Sequence, residues 1–224
     1  MAQIQLESVS KIYSVGGSVI RAVDNSSLSV ERGDFLSIVG HSGSGKTTLL
    51  SIIGGIMRPT SGRVLFEGQD ICSLDDDNLS DYRSSKIGFM FQFASLLPML
   101  TAAENILLPS LFNPGMESVN MGKAREYLAL VGIEEKLNAF PSQLSGGQQR
   151  RVAIARALIY DPPVILADEP TGDLDEETEA DIMELFRRLN RERRITFIFI
   201  THNLELAGMA QRTLRMTHGT LTEA

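Results

Sequence analysis

The run Gly40-His41-Ser42-Gly43-Ser44-Gly45-Lys46-Thr47 restricts what this chain can fold into more than any other feature. It fits the pattern G-x-x-x-x-G-K-[ST] and stands between two opposite kinds of segment. Before it, Phe35–Val39 is a mostly apolar, β-prone run. After it, Leu49, Leu50, Ile52 and Ile53 recur at helical spacing. A strand, a glycine-rich turn and a helix in that order make an anion cradle. Glycine lets the backbone curl until successive N–H groups point inward, and the helix start adds roughly half a positive charge. Lys46 brings a full charge to the β- and γ-phosphates of a nucleotide, and the Thr47 hydroxyl suits Mg²⁺. Thr48 continues into the helix. Ser42, Ser44 and His41 complete the loop, His41 with no chemistry of its own.

Val164–Ala167 is a second buried-type strand, and it ends in Asp168 and Glu169. In NTPases with such a loop, an aspartate at this place holds Mg²⁺. Asp168 is therefore the expected metal-side ligand beside Thr47, an oxygen set of the kind Mg²⁺ prefers. Glu169, a second carboxylate at the same strand end, is the candidate general base for a water molecule. Elsewhere Ile4–Val9, Ser27–Val30, Arg63–Phe66, Ile87–Phe91 and Thr196–Ile200 read as strands, and Glu176–Arg193 as a charged amphipathic helix. Strands alternating with helices imply a parallel sheet covered on both faces. Residues 101–160 are mostly helical, broken at Pro109, Pro114-Gly115 and Pro141, and look like an insertion between Gln92 and Asp161.

Composition narrows the partners. A net charge of −7 disfavours nucleic acid. Cys72 is the only cysteine, which rules out an internal disulfide and suits a reducing compartment. No signal peptide is expected at the N-terminus, and no uninterrupted apolar run approaches the ~18 residues of a membrane span. A membrane, if involved, is reached through another chain.

Leu144-Ser145-Gly146-Gly147-Gln148 makes the reading specific: it is identical to the signature sequence of ABC ATPases, and the chain resembles that family from end to end. The resemblance implies an α/β fold in which a P-loop NTPase core with a parallel sheet carries an N-terminal antiparallel β subdomain and an inserted helical subdomain. Residues 1–224 form one such domain, with 1–92 and 161–224 as core and β subdomain and 93–160 as the helical part. It also implies ATP hydrolysis with Mg²⁺. Tyr13 resembles the aromatic that stacks on adenine. Gln92 resembles the glutamine that touches Mg²⁺ and water and senses the membrane domain. Gly172-Asp173-Leu174-Asp175 resembles the D-loop, with Asp175 counted among the nucleotide contacts, and His202 resembles the histidine that reads the γ-phosphate. Ser145 can cap a helix whose first turn holds Gly146 and Gly147, a second anion site. In the family, the phosphate loop of one subunit and Ser145–Gln148 of the other sandwich each ATP. The expected assembly is a homodimer formed on ATP binding, on the cytoplasmic face of a membrane, driving integral permease subunits, with no nucleic acid involved.

Ile87–Gln92, Leu96-Leu97-Pro98, Glu104-Asn105 and the pair Gly16-Gly17 before Ala22-Val23 look most like the branch of lipoprotein-releasing, macrolide-export and cell-division complexes. Asp173 departs from the asparagine frequent in that branch, and Asn203 follows His202 where aspartate is common. Three other readings stand beside transport. A soluble DNA-repair ATPase would carry long coiled coils, and no sustained heptads occur between Gln92 and Ser145. A ribosome-associated protein would usually hold two such domains. A mechanical regulator of a membrane protein would present the same engine. Arg150, Arg151 and Arg156 are expected to be solvated or salt-bridged, with some supporting the signature helix. Phe93 and Leu96–Leu100 pack either into the core or into a groove for a membrane subunit's helix. Asp75-Asp76-Asp77 reads as a solvated loop or helix start.

Lys46→Ala removes the charged donor of the cradle. Nucleotide titration should show affinity falling about ten- to a hundredfold; unchanged binding would remove Lys46 from the site.

Overall fold

Strands that show no face to solvent need cover on both sides, and that requirement organises the molecule. The computed structural model describes residues 2–112 and 119–224. In chain order it contains β1 (Ile4–Val15), β2 (Ser18–Val30), β3 (Phe35–Val39), α1 (Lys46–Ile53), β4 (Ser61–Phe66), β5 (Gln69–Asp70), α2 (Asp76–Lys86), β6 (Ile87–Met90), α3 (Ala102–Leu107), α4 (Met121–Leu130), α5 (Gly146–Leu158), β7 (Val164–Asp168), α6 (Glu176–Arg193), β8 (Thr196–Ile200), α7 (Leu204–Ala207), β9 (Arg212–Thr217) and β10 (Thr220–Glu223). β3 and β8 are buried at every residue.

One sheet runs β10-β9-β3-β8-β7-β6. Its neighbours are parallel except the edge pair β9–β10. Alternate residues feed two cores, as the period of two in a strand demands. Phe35, Ile165, Phe197 and Phe199 point to the side of α3–α6, where Phe35, Phe197 and Phe199 pack ring against ring. Leu36, Ile38, Leu166 and Ile198 point to α1, α2 and the second sheet, β2-β1-β4-β5. That second sheet is antiparallel. β1 and β2 extend well beyond the short strands expected there. Gly16 and Gly17, at φ 57° and 83°, close them as a two-residue hairpin turn of the kind that glycine permits.

Local signals account for several helix starts. Asp75 accepts the Asn78 amide (2.9 Å), so the acidic run begins α2. Thr101 and Glu104 form a reciprocal cap on α3. β6 ends at Met90, one residue short of expectation. Pro109 lies in the turn after α3 and Pro141 opens a short turn before α5, whereas Pro114-Gly115 falls outside the described residues.

Two readings left open by the sequence are decided by the structure. Arg151 pairs with Asp181 (3.4 Å), but Arg150 and Arg156 are neither solvated nor paired with a carboxylate; both bond backbone carbonyls beneath α5. The apolar run after Gln92 is not core: Phe93, Leu97 and Met99 are exposed, and only Leu96 packs inward. Asn105, fully buried, bonds Leu97, Leu100 and Thr101 and holds that run in an outward loop.

α5 lies so close to β6 that a Cβ on Gly88 would come within 2.4 Å of the Ala157 carbonyl and 2.3 Å of Ile165 Cδ1. Gly88→Ala should therefore cost about 1–3 kcal/mol by overpacking, read as a lower denaturation midpoint; a midpoint equal to wild type would disprove this contact.

Candidate functional site

The phosphate loop is pinned from outside by chain segments far from it in sequence. A Cβ on Gly45 would fall 1.9 Å from the Ala22 carbonyl, and one on Gly40 would fall 2.3 Å from the Met216 carbonyl. Only glycine fits at either point. The Gly219 amide donates to the Ser44 carbonyl (3.0 Å), so the β9–β10 turn also anchors the loop. Ala22, Met216 and Gly219 carry no sequence signal for this role, because nothing local in the chain announces which backbone will press on the loop.

Inside the loop, Lys46 Nζ donates to the carbonyls of Gly40 (2.7 Å) and His41 (3.0 Å). Burial pushes its pKa down, and the charges of Glu169 and Asp168 offset part of that. Ser44 Oγ is buried with no partner, as expected of a group lining a polar ligand's cradle. The cavity at this loop, about 410 Å³, brings together Gly40, Ser42, Gly43, Gly45, Lys46, Thr47, Thr48, Gln92, Asp168, Glu169 and His202, with Ala22 at its edge. β3, β6, β7 and β8 all run toward this end of the sheet. Residues that follow four different strands therefore meet in one cleft, the usual place for ligands in an open parallel sheet.

Burial raises the Asp168 pKa above the ordinary carboxylate range. A hydrogen bond with Thr47 works against the rise, Glu169 adds to it, and Lys46 opposes it. Thr47 and Asp168 thus form a contiguous oxygen pair. Among the described residues, no group of three or more His, Cys, Asp or Glu side chains is placed to hold a metal ion. A Mg²⁺ ion here would draw on Thr47, Asp168, the Gln92 amide, water and phosphate oxygens, a donor set that fits its chemistry. Glu169 sits just past β7 at φ 46°, a left-handed conformation uncommon outside glycine. Its amide donates to the Ile200 carbonyl (3.0 Å), which turns the side chain toward β8. There His202 Nδ1 donates to Glu169 Oε2 (2.9 Å).

Other expected site residues lie elsewhere. Tyr13 is not in the cavity wall; its hydroxyl donates to Met57 Sδ (3.0 Å), although its ribbon β1–β2 brings Ala22 to the loop. Ser145 caps α5, accepting the Gln148 amide (3.2 Å) while Gln148 Oε1 accepts the Ser145 amide (3.0 Å). Ser145 and Gly146 face solvent rather than the cavity. Gly147 lets the α6 start approach, since a Cβ there would meet Thr178 Cγ2 at 2.6 Å. The Asp175 carboxylate is spent on capping α6 through the Thr178 amide (2.9 Å) and hydroxyl (2.8 Å). Asp173 stands before it in a left-handed turn at φ 66°. The capped start of α5 is thus formed at the surface, outside the cavity wall.

A carboxyl whose folded pKa is raised destabilises the fold once it ionises, and that cost disappears as pH falls through the raised pKa. Asp168→Asn should therefore raise the melting temperature of the nucleotide-free protein at neutral pH, and the difference should shrink toward pH ~4. Melting curves from pH 4 to 8 check this; a pH-independent difference, or a lower Tm for the variant at neutral pH, would contradict it.

Comparison with known proteins gives the site its family. The sequence pattern described as ABC transporter matches residues 23–172. The lipoprotein-releasing system ATP-binding protein LolD 1 of Rhodopseudomonas palustris is 45% identical over 221 residues, covering 96% of each chain. The macrolide export ATP-binding/permease protein MacB of Syntrophobacter fumaroxidans is 44% identical over 223 residues; that match takes in 99% of this chain but only 31% of the longer protein. A dimeric structure described as a post-hydrolysis state of the ATP-binding cassette MJ0796 with ADP and Pi superposes with a TM-score of 0.89, at 42% identity and 98% coverage of both chains. The loop, the paired carboxylates and the capped signature helix thus stand in a fold shared along its whole length, and the chain belongs to the ABC transporter family as one of its ATP-hydrolysing cassettes.

Proposed function

We propose that the chain is the ATP-driven engine of a lipoprotein-release or export complex, working as a homodimer at the cytoplasmic face of a membrane on permease subunits carried by other chains. The observation that carries this reading is the separation of two complementary half-sites. Lys46, Thr47, Asp168, Glu169 and His202 share one cleft, while the capped α5 start at Ser145 faces out of the same chain. A second copy supplies what each cleft lacks. In the domain division that goes with it, residues 93–160 are a helical subdomain on a core formed by 1–92 and 161–224.

In that assembly the phosphate-loop amides and Lys46 bind the β- and γ-phosphates. Lys46 exchanges its bonds to the Gly40 and His41 carbonyls for phosphate oxygens. Thr47 and Asp168, with Gln92 beside them, would hold a Mg²⁺ ion, which would supply charge neutralisation at the phosphates. Glu169 takes the proton of the attacking water as the water oxygen joins the γ-phosphorus, the bond from that phosphorus to the β–γ bridging oxygen breaks, and ADP leaves with the bonding pair. His202, now bonded to Glu169, is the group within reach to steady the transferred phosphoryl oxygens. Tyr13 stacks on the adenine from the β1–β2 ribbon. Ser145–Gln148 of the second copy close on the γ-phosphate, so hydrolysis waits for closure.

No helix among the described residues is long and apolar enough to cross a membrane. The exposed Phe91, Phe93, Leu97 and Met99 lie beside Gln92. A cavity of about 530 Å³ between α2, β6 and α5 lies away from the phosphate loop, with Arg83, Phe89, Pro109 and Tyr160 in its wall. This surface suits an amphipathic helix laid in a groove. The close likeness to LolD-type and MacB-type relatives supports the export or lipoprotein-release branch.

Glu169→Gln should bind ATP, hydrolyse it at least ~100-fold more slowly, and accumulate as a closed dimer that co-purifies with a multi-span membrane protein from gently extracted membranes. A variant that stays monomeric at saturating ATP and Mg²⁺ would rule out the sandwich. Recovery of ribosomes or DNA-repair proteins alone would rule out the permease.

A further inference from the structure

Arg150 and Arg156 lie on the inner side of α5, about two turns apart, and both reach under the loop that leaves β6. Arg156 donates to the carbonyls of Ala94 (2.7 Å) and Ser95 (2.9 Å). Arg150, only 5% exposed, donates to Phe91 (3.1 Å) and Gln92 (2.7 Å), and also to Gly172 (3.2 Å). Residues 91–95 thus have four carbonyls turned onto one helix, while the side chains of Phe91, Gln92 and Phe93 face outward. Ser95, at φ 47°, makes the reversal this requires. A guanidinium has five donors spread over a rigid fork, so it can satisfy carbonyls from two separate loops at once; an ammonium has three donors on a single atom and reaches fewer.

Burial disfavours the charge of both arginines, and at Arg150 only Asp173 offsets that. A charge kept in such a place is costly unless its bonds are all made. Three segments meet at Arg150. It rides the helix that starts at Ser145. It holds the backbone of Gln92, beside the Asp168–Glu169 cleft. It also holds Gly172, whose amide donates to the Glu169 carbonyl (3.1 Å). Arg156 shares the helix and the loop but has no bond to residues 169–175.

We propose that Arg150 is a positioning residue for hydrolysis: it locks Gln92, the Glu169–Gly172 turn and the signature helix into one rigid unit, so that a shift of the outward loop 91–95 reaches Glu169 and Ser145 together. Arg150 touches neither nucleotide nor water and acts through the backbones it holds. The inference rests on the hydrolytic reading of Glu169 and Gln92 given above.

The test compares Arg150→Gln, Arg150→Lys and Arg156→Gln in the intact chain, measuring kcat and KM for ATP, nucleotide affinity by fluorescent-analogue titration, and Tm. Arg150→Gln should lower kcat about ten- to a hundredfold, the scale of a small misplacement of catalytic groups, with KM and nucleotide affinity within about twofold of wild type. Arg150→Lys, which keeps the charge but reaches fewer carbonyls, should fall between. Arg156→Gln should keep kcat within about threefold. Should Arg150→Gln fail to fold, the Arg150→Lys split decides alone. The inference is overturned if kcat survives in the Arg150 variants, if Arg156→Gln lowers it equally, or if affinity and kcat fall together. Full ATPase activity in Glu169→Gln would instead overturn the hydrolytic reading itself, a separate outcome.

Discussion

The site depends on close approaches between backbones. The carbonyls of Ala22 and Met216 stand where a side chain on Gly45 or Gly40 would otherwise be. They belong to two different sheets, so the phosphate loop is the point where β2 and β9 are joined through a third segment. The Asp24 amide on the Gly219 carbonyl (2.9 Å) closes the same junction from the other side. Dense interiors shift as units rather than deforming smoothly. A loop wedged this way keeps its curl without a ligand, which is the preorganisation that makes an anion cradle effective.

Around that fixed point the remaining groups differ in how firmly they are held. Lys46 is satisfied inside the loop, and Asp168 is held beside Thr47 where burial disfavours its charge. Glu169 has an unusual backbone and a histidine partner. Strain and costly charge gathered in one cleft are common where chemistry rather than stability governs the arrangement. The two arginines under α5 extend the theme outward, since they use buried charge to fix loops with no regular structure of their own.

The parallel core was legible because its strands are mostly apolar: Phe35–Val39, Val164–Asp168 and Thr196–Ile200 each carry a single polar residue, Ser37, Asp168 and Thr196, and no alternating polar face. The phosphate loop, Asp168, Glu169, Gln92 and His202 were legible by motif, and the structure brings them into one cleft. α2 was legible only at its start, because Leu79 and Tyr82 are its only buried residues and the rest is polar. β1 and β2 were read short because their outer halves, such as Ser18–Arg21, are exposed and lack alternation. β9 and the edge strand β10 gave no signal strong enough to read. Which arginine supports the signature helix was not legible, for a physical reason: a guanidinium bonded to carbonyls of distant loops, as at Arg150, looks in sequence the same as one in solvent. Ser145 was read correctly as a cap because that bond is local; the answering bond from Gln148 was not anticipated.

The left-handed turn at Asp173 separates two properties that a single residue usually binds together. Asparagine and aspartate are the side chains that most readily accept φ near 60°, and they do so with nearly the same shape. Exchanging one for the other leaves the backbone of the turn untouched and alters only the field felt by Arg150 and by whatever faces the turn. Variation at this position therefore samples electrostatics with folding held constant, so closely related cassettes can diverge in how strongly their halves repel without any change in architecture.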